Sequence, residues 1–160
     1  MSPQLEAWVQ AIAISPAAQA EPRLVPRATA LPGRGLEGDR YASGQGTFSD
    51  GTSDGRALTL IEAEVLDELS RSGSANLTAA QARRNVITRG IALNELVGQR
   101  FFVGGVECEG RRLCEPCAHL ERLTRAGVLT SLVNRGGLRA DILSAGEIQV
   151  GDPVRPSAPA

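Results

Sequence analysis

Apolar residues recur along this chain with two different periods, and the switch between them marks out the elements. Residues 8–14 alternate loosely between apolar and polar and predict a strand, closed by Ser15-Pro16. Residues 27–31 and 57–61 predict two more strands. At residues 62–71 the period lengthens. Val65, Leu66 and Leu69 fall on one helical face, and Gly73 stops the run. Residues 77–81 predict a short helix with Thr78 as its cap. A strand follows at 86–88. The apolar stretches 100–103 and 106–109 flank Gly104-Gly105, a two-residue hairpin signal. Residues 119–125 predict a helix with Leu120 and Leu123 on one face, and 128–133 extend it or begin another turn. Residues 137–143 and 147–150 predict a second hairpin around Ser144-Ala145-Gly146, after which Gly151-Asp152-Pro153 turns the chain into Val154. Between the early strands, residues 32–56 are rich in Gly, Ser and Asp and predict a long loop, of the kind that is usually functional or disordered.

About seven or eight short strands against two or three helices predict a mostly β fold with inserted helices (α+β), built as a closed or nearly closed antiparallel β barrel. There is no internal repeat and no interior linker. The reading is one domain over residues 1–156, with 157–160 as a frayed tail.

Composition narrows the function. The net charge is −1, so no general nucleic-acid affinity is expected, although a local anion site is compatible with it. No apolar run approaches the roughly 20 residues of a membrane span, so no membrane partner is expected. Residues 1–10 lack a basic stretch followed by a long apolar one. With three cysteines, this argues for a reducing compartment, the cytoplasm, and against a disulfide scaffold. All 17 basic residues are arginine. Without a lysine amine the chain cannot hold pyridoxal phosphate as a Schiff base, and P-loop phosphate binding and a lysine general base are excluded on the same ground.

The densest chemistry lies in Arg111-Arg112-Leu113-Cys114-Glu115-Pro116-Cys117-Ala118-His119-Leu120. Two of the three cysteines stand at C-x-x-C spacing, the sole histidine follows, and two arginines precede. A predicted helix start after the cysteines would favour a thiolate, because free N–H groups there stabilise negative charge. The pair admits a single nucleophilic or metal-ligating thiolate, a dithiol redox pair, or a zinc site completed by Cys108 and His119. It also admits a buried structural thiol pair. Three further stretches suit anions. Gly33-Arg34-Gly35-Leu36-Glu37-Gly38-Asp39-Arg40 is a glycine-rich turn whose N–H groups and arginines can approach an anion. Arg83-Arg84-Asn85-Val86-Ile87-Thr88-Arg89-Gly90 gathers arginines, an amide and a hydroxyl suited to phosphate or pterin carbonyls. Arg135-Gly136-Gly137-Leu138-Arg139 repeats the theme. Each is equally compatible with a plain turn or a solvated charged face.

Taken in order, several of these pieces resemble the MOSC domain, the molybdenum cofactor sulfurase C-terminal domain, in its stand-alone form. They are Gly35-Leu36-Glu37-Gly38-Asp39-Arg40, Leu60-Ile61-Glu62, Arg84-Asn85-Val86-Ile87-Thr88-x-Gly90 and Leu96-Val97-Gly98. Pro116-Cys117-x-x-Leu120 and Gly146-x-x-x-x-Gly151-Asp152 complete the set, which spans about residues 8–155. The resemblance implies a β barrel like the pyruvate kinase barrel domain. It implies that Cys117 is a molybdenum ligand or a persulfide carrier, with Cys114 as a resolving thiol and His119 as an orienting or proton-relaying group. It implies the molybdenum cofactor (molybdopterin); the expected cofactor-binding residues are Gly38, Asp39, Arg40, Arg84, Asn85, Thr88, Arg111, Arg112 and Arg139, and the helix start with Arg111 or Arg112 would lower the thiol pKa. A cysteine desulfurase would load sulfur, and an electron-transfer protein would be needed for any reductase turnover. Some stand-alone relatives are linked to reduction of N-hydroxylated bases, which gives a further expectation for activity. The contrasting expectation is a zinc-stabilised or structural binding domain without thiol chemistry.

Overall fold

The computed structural model describes residues 7–15, 22–39, 57–72, 84–113 and 137–157. In chain order these form β1 (Ala7–Ile14), β2 (Arg23–Val25), β3 (Arg27–Leu31), β4 (Gly35–Leu36), β5 (Leu58–Glu62), α1 (Ala63–Ser72) and β6 (Val86–Arg89). A 3-10 turn (Leu93–Leu96) then leads to β7 (Arg100–Val103), β8 (Val106–Leu113), β9 (Leu138–Ile142), β10 (Gly146–Gln149) and β11 (Pro153–Pro156).

Seven strands run side by side in the order β11-β7-β8-β9-β5-β6-β1, and β11 pairs back onto β1 to close a barrel. Closure removes the unpaired strand edges that an open sheet would expose. One edge of β1 pairs with β6, and the other is divided between β11 at Ala7–Trp8 and β2 at Ile12–Ile14. The remaining strands form a separate three-stranded sheet, β10-β3-β4.

Alternation within each strand fills the barrel. Val9, Ile12, Leu58, Leu60, Val86, Phe101, Val103, Val106, Leu138, Ala140 and Ile142 belong to one buried apolar cluster. Each large side chain of this kind contributes about 1.5–3 kcal/mol when fully buried. A second layer forms outside. Ile61 and Ile87 point away from the interior cluster yet are buried, and α1, with Ala63 and Leu66 buried, packs against β5 and β6 there. The helix is pinned by polar contacts. Gly90 N–H donates to Glu64 Oε2 (2.7 Å), and Arg89 pairs with Asp67 (2.9 Å) while donating to Gln10 Oε1 (2.6 Å).

The first hairpin forms as its Gly104-Gly105 signal predicts, with Gly104 at φ 60° and Val103 opposite Val106. Three expectations need correction. The β9 and β10 strands exist but do not form a hairpin with each other. Leu143 N–H donates to Glu107 O and Ser144 Oγ accepts Glu107 N–H, so the chain follows β8 past the end of β9. It then leaves the barrel and pairs with β3 instead. The barrel is also not wholly antiparallel, because β5 and β6 are parallel, with α1 in the connection between them. Finally, Gly35–Leu36 and Arg23–Val25 are short strands, where residues 32–36 read as loop and 23–25 carried no strand signal. The predicted helices at 77–81 and 119–125 lie outside the described residues. Among the described residues no helix is long and apolar enough to cross a membrane.

Candidate functional site

Cross-strand register brings three of the singled-out positions, Arg112, Arg139 and Asn85, into a single row with Thr59 on the outer face of the barrel. Arg112 on β8 stands opposite Arg139 on β9, and Arg139 stands opposite Thr59 on β5. Thr59 in turn binds Asn85 at the start of β6. Paired residues share a face. Since Leu58, Leu60, Leu138 and Ala140 fill the barrel, the row points outward. Thr59 and Asn85 are nonetheless buried.

The Asn85 half of the row is closed on itself. Its Oδ1 accepts from Thr59 N–H (3.1 Å) and Thr59 Oγ1 (3.2 Å), and its Nδ2 donates to Ala13 O (3.2 Å). The Asn85 N–H donates to Thr59 Oγ1 (3.0 Å), and Ala13 N–H donates to Asn85 O (2.7 Å). This amide joins β5, β6 and β1 and leaves little capacity for a ligand.

The arginine half is open. Arg139 Nη1 is buried and has no hydrogen-bond partner among the described residues. A buried unsatisfied donor costs about 1–3 kcal/mol. Like charges directly opposite, here Arg112 and Arg139, add to that cost. Two residues beyond Arg112 the chain enters Cys114-x-x-Cys117.

Neighbouring Arg111 behaves differently. Its Nε lies 3.4 Å from Asp141 Oδ2 and its Nη1 3.3 Å from Glu109 Oε1, so two carboxylates already neutralise it. Asp141 is buried while Arg111 is half exposed.

The remaining predicted positions divide as follows. Asp39 is buried, and its Oδ1 accepts Ser15 N–H (2.7 Å), tying the glycine-rich turn to the end of β1. Gly38 adopts φ +88°, and a Cβ there would lie 3.3 Å from Ile14 Cδ1, so this turn needs glycine for both conformation and space. Arg84 is buried beside Asn85 in sequence. Thr88 pairs with Val9 of the barrel cluster and is fully buried, with Oγ1 3.5 Å from Ile61 O, away from the polar row. Arg40, Cys114, Cys117 and His119 lie outside the described residues.

Cys108 is part of the barrel interior and fully buried. Burial, reinforced by the nearby charges of Glu107 and Asp141, pushes its thiol up to about 12. Metal ligation requires a thiolate. Its place in the barrel interior suits packing, while the other three residues of the Cys₃His set lie outside the described residues. Among the described residues no group of three or more His, Cys, Asp or Glu is placed to hold a metal ion. Thr59 is the position that the sequence reading missed. Its signal is a hydroxyl inside the apolar run Leu58-Thr59-Leu60-Ile61.

Among solved structures, the YuaD protein from Bacillus subtilis superposes with a TM-score of 0.78 at 15% identity, covering 99% of this chain and 100% of that one. YiiM from Geobacillus stearothermophilus gives 0.70 at 13% identity over 95% of this chain and 75% of that one. YiiM from Escherichia coli gives 0.65 at 17% identity, with 95% and 70% covered. These likenesses extend to the fold. No curated protein sequence matches. The MOSC domain matches residues 46–155, most of the chain, from ahead of β5 into β11. The chain belongs to the MOSC domain family.

Proposed function

We propose that this protein is a MOSC-type sulfur-carrier and molybdenum-cofactor-binding domain, in which Cys117 acts as metal ligand or persulfide carrier. The observation that supports it most is the buried, unpartnered Arg139 Nη1 opposite Arg112, on the strand that leads into the C-x-x-C segment. A donor so placed fits an anionic phosphate or a pterin carbonyl, which would satisfy it and relieve the arginine–arginine repulsion. Arg139 and Arg112 would hold that group, with Arg84 and Arg40 as additional cations. Asn85 and Thr59 would position Arg139's strand without touching the ligand. When bound, the cofactor would supply redox chemistry at molybdenum.

In the carrier role, the Cys117 thiolate attacks the outer sulfur of a desulfurase persulfide, takes that sulfur and releases the donor cysteine as thiolate. His119 would take up or return the thiol proton, and Cys114 would resolve the persulfide. The partners on this reading are a cysteine desulfurase and, for any reductase turnover, an electron-transfer protein. The setting is the reducing cytoplasm, and the barrel is of the pyruvate kinase type with helices inserted between strands. A zinc-stabilised domain fits less well, because Cys108 is spent on the barrel interior.

Plasma mass spectrometry of protein purified anaerobically from a molybdopterin-producing host tests this. Molybdenum in the wild type, lost in Cys117→Ala and reduced in Arg139→Met, is expected. Alternatively, labelled sulfur transferred to wild type and not to Cys117→Ala meets the carrier form. Equal metal and sulfur loading in both variants would overturn the proposal.

A further inference from the structure

Arg112 faces Arg139 only because β8 breaks its own alternation. Along β8, Val106, Cys108 and Gly110 are buried toward the barrel, and Glu107 and Glu109 alternate outward. Continued without interruption, that alternation would aim Arg111 outward, Arg112 inward and Leu113 outward. The register instead jumps. Gly110 pairs with Ala140 and Arg112 with Arg139, so Arg111 is an extra residue with no place in the ladder to β9. This is a β-bulge, a device that re-aims side chains and is enriched beside functional sites.

A different segment packs against the bulge at Gly110. Gly98 N–H donates to Gly110 O (2.8 Å), Gly110 N–H donates to Gln99 O (2.9 Å), and Val97 bridges Gly110 in parallel fashion. These contacts come from Val97, Gly98 and Gln99, directly after the 3-10 turn, and none of the three has a role in the chemistry described above. A Cβ on Gly110 would land on the Leu96 carbonyl oxygen. Gly110 is not at positive φ, so glycine is required for space and not for backbone conformation. Leu93 and Leu96 anchor the turn in the barrel cluster, which keeps that carbonyl in place.

We propose that Gly110 is a positioning residue: docked under the Leu96-Val97-Gly98 turn, it holds the bulge that sets Arg112 beside Arg139 and leaves Arg111 to Glu109 and Asp141. The functional part of this assignment rests on the arginine pair being a ligand site. The register part does not.

The test uses engineered cysteine pairs in the full chain with Cys114→Ser and Cys117→Ser. Diamide serves as the two-electron oxidant, converting two thiols to one disulfide with loss of two protons. Directly opposed residues lie within disulfide reach, and a residue displaced from the ladder by the bulge, drawn toward Glu109 and Asp141, does not. With Gly110 present, R112C/R139C should close at least roughly tenfold faster than R111C/R139C, since only the first pair meets that geometry. Gly110→Ala should bring the two rates together or invert them. In the arginine-bearing chain the same substitution should remove most of the rise in melting temperature produced by inorganic phosphate, while far-ultraviolet dichroism stays native. An unchanged 112–139 preference in Gly110→Ala, or a full phosphate response once the preference is lost, would overturn the proposal. If Gly110→Ala does not fold, Gly98→Ala decides. A Cβ there meets nothing within 4 Å, and only its φ of +78° is strained, so it should shift the preference in the same direction by a smaller factor. A phosphate response absent from the wild type itself would count against the ligand reading and leave the crosslinking result to judge the register.

Discussion

The two halves of the polar row on the barrel's outer face are built from similar materials and do opposite things. At one half, Asn85 and Thr59 exchange hydrogen bonds with each other and with Ala13 until their capacity is nearly filled. At the other, one strand away, Arg139 keeps a buried donor that has no partner among the described residues and faces a second arginine. A satisfied buried network rigidifies and specifies structure, whereas an unsatisfied one lowers stability until something binds. The contrast separates residues that hold strands together from residues available to a ligand, although sequence alone groups them.

The largest effect should come from breaking the closed half. Asn85→Leu strips acceptors from Thr59 N–H and Oγ1 and should cost about 2–4 kcal/mol in urea denaturation. A loss under about 1 kcal/mol would mean the network is replaceable by water. Next comes the barrel interior. The folded Cys108 thiol, at about 12, titrates above its ordinary value of 9.0. The folded state therefore keeps a proton that the unfolded chain loses. Stability should be unaffected below pH 9 and should fall as pH rises toward 12, by about 2 kcal/mol at pH 10.5. Cys108→Ala should lose that part of the slope in denaturation curves collected across the alkaline range.

Smaller effects address the open half. Arg139→Met should raise the stability of the ligand-free protein by about 1 kcal/mol, because it removes both the orphan donor and the opposed charge. Destabilisation instead would show that Arg139 is structurally committed. Arg111→Gln should cost under about 1 kcal/mol, as exposed ion pairs do, and leave any phosphate response intact. Loss of that response would place Arg111 in the site with Arg112.

Most of the barrel was legible because alternation and turn chemistry are local. Gly104-Gly105 joins β7 to β8 as its sequence suggests, and β1, β3, β5 and β6 fall where apolar residues alternate. What alternation cannot encode is the partner. The β9 and β10 strands each have the right pattern and part company into different sheets, because Glu107 captures the intervening turn through Leu143 and Ser144. The site was legible by residue type and not by role. Asn85 carries the chemistry of a ligand contact but spends it on strand docking, and Thr88 faces the barrel interior. The Arg111-Arg112 doublet gives no sign of which arginine is neutralised, since that goes with a bulge in β8 that local sequence does not announce.

The division between a closed and an open half is tested most directly by thermal melting at low ionic strength, with and without inorganic phosphate, of the wild type and Arg139→Met. An anion that binds only the folded state raises its melting temperature in proportion to its occupancy. The account predicts a clear phosphate-dependent rise in the wild type and none in Arg139→Met, which should start from the higher baseline. An equal rise in both proteins would contradict it.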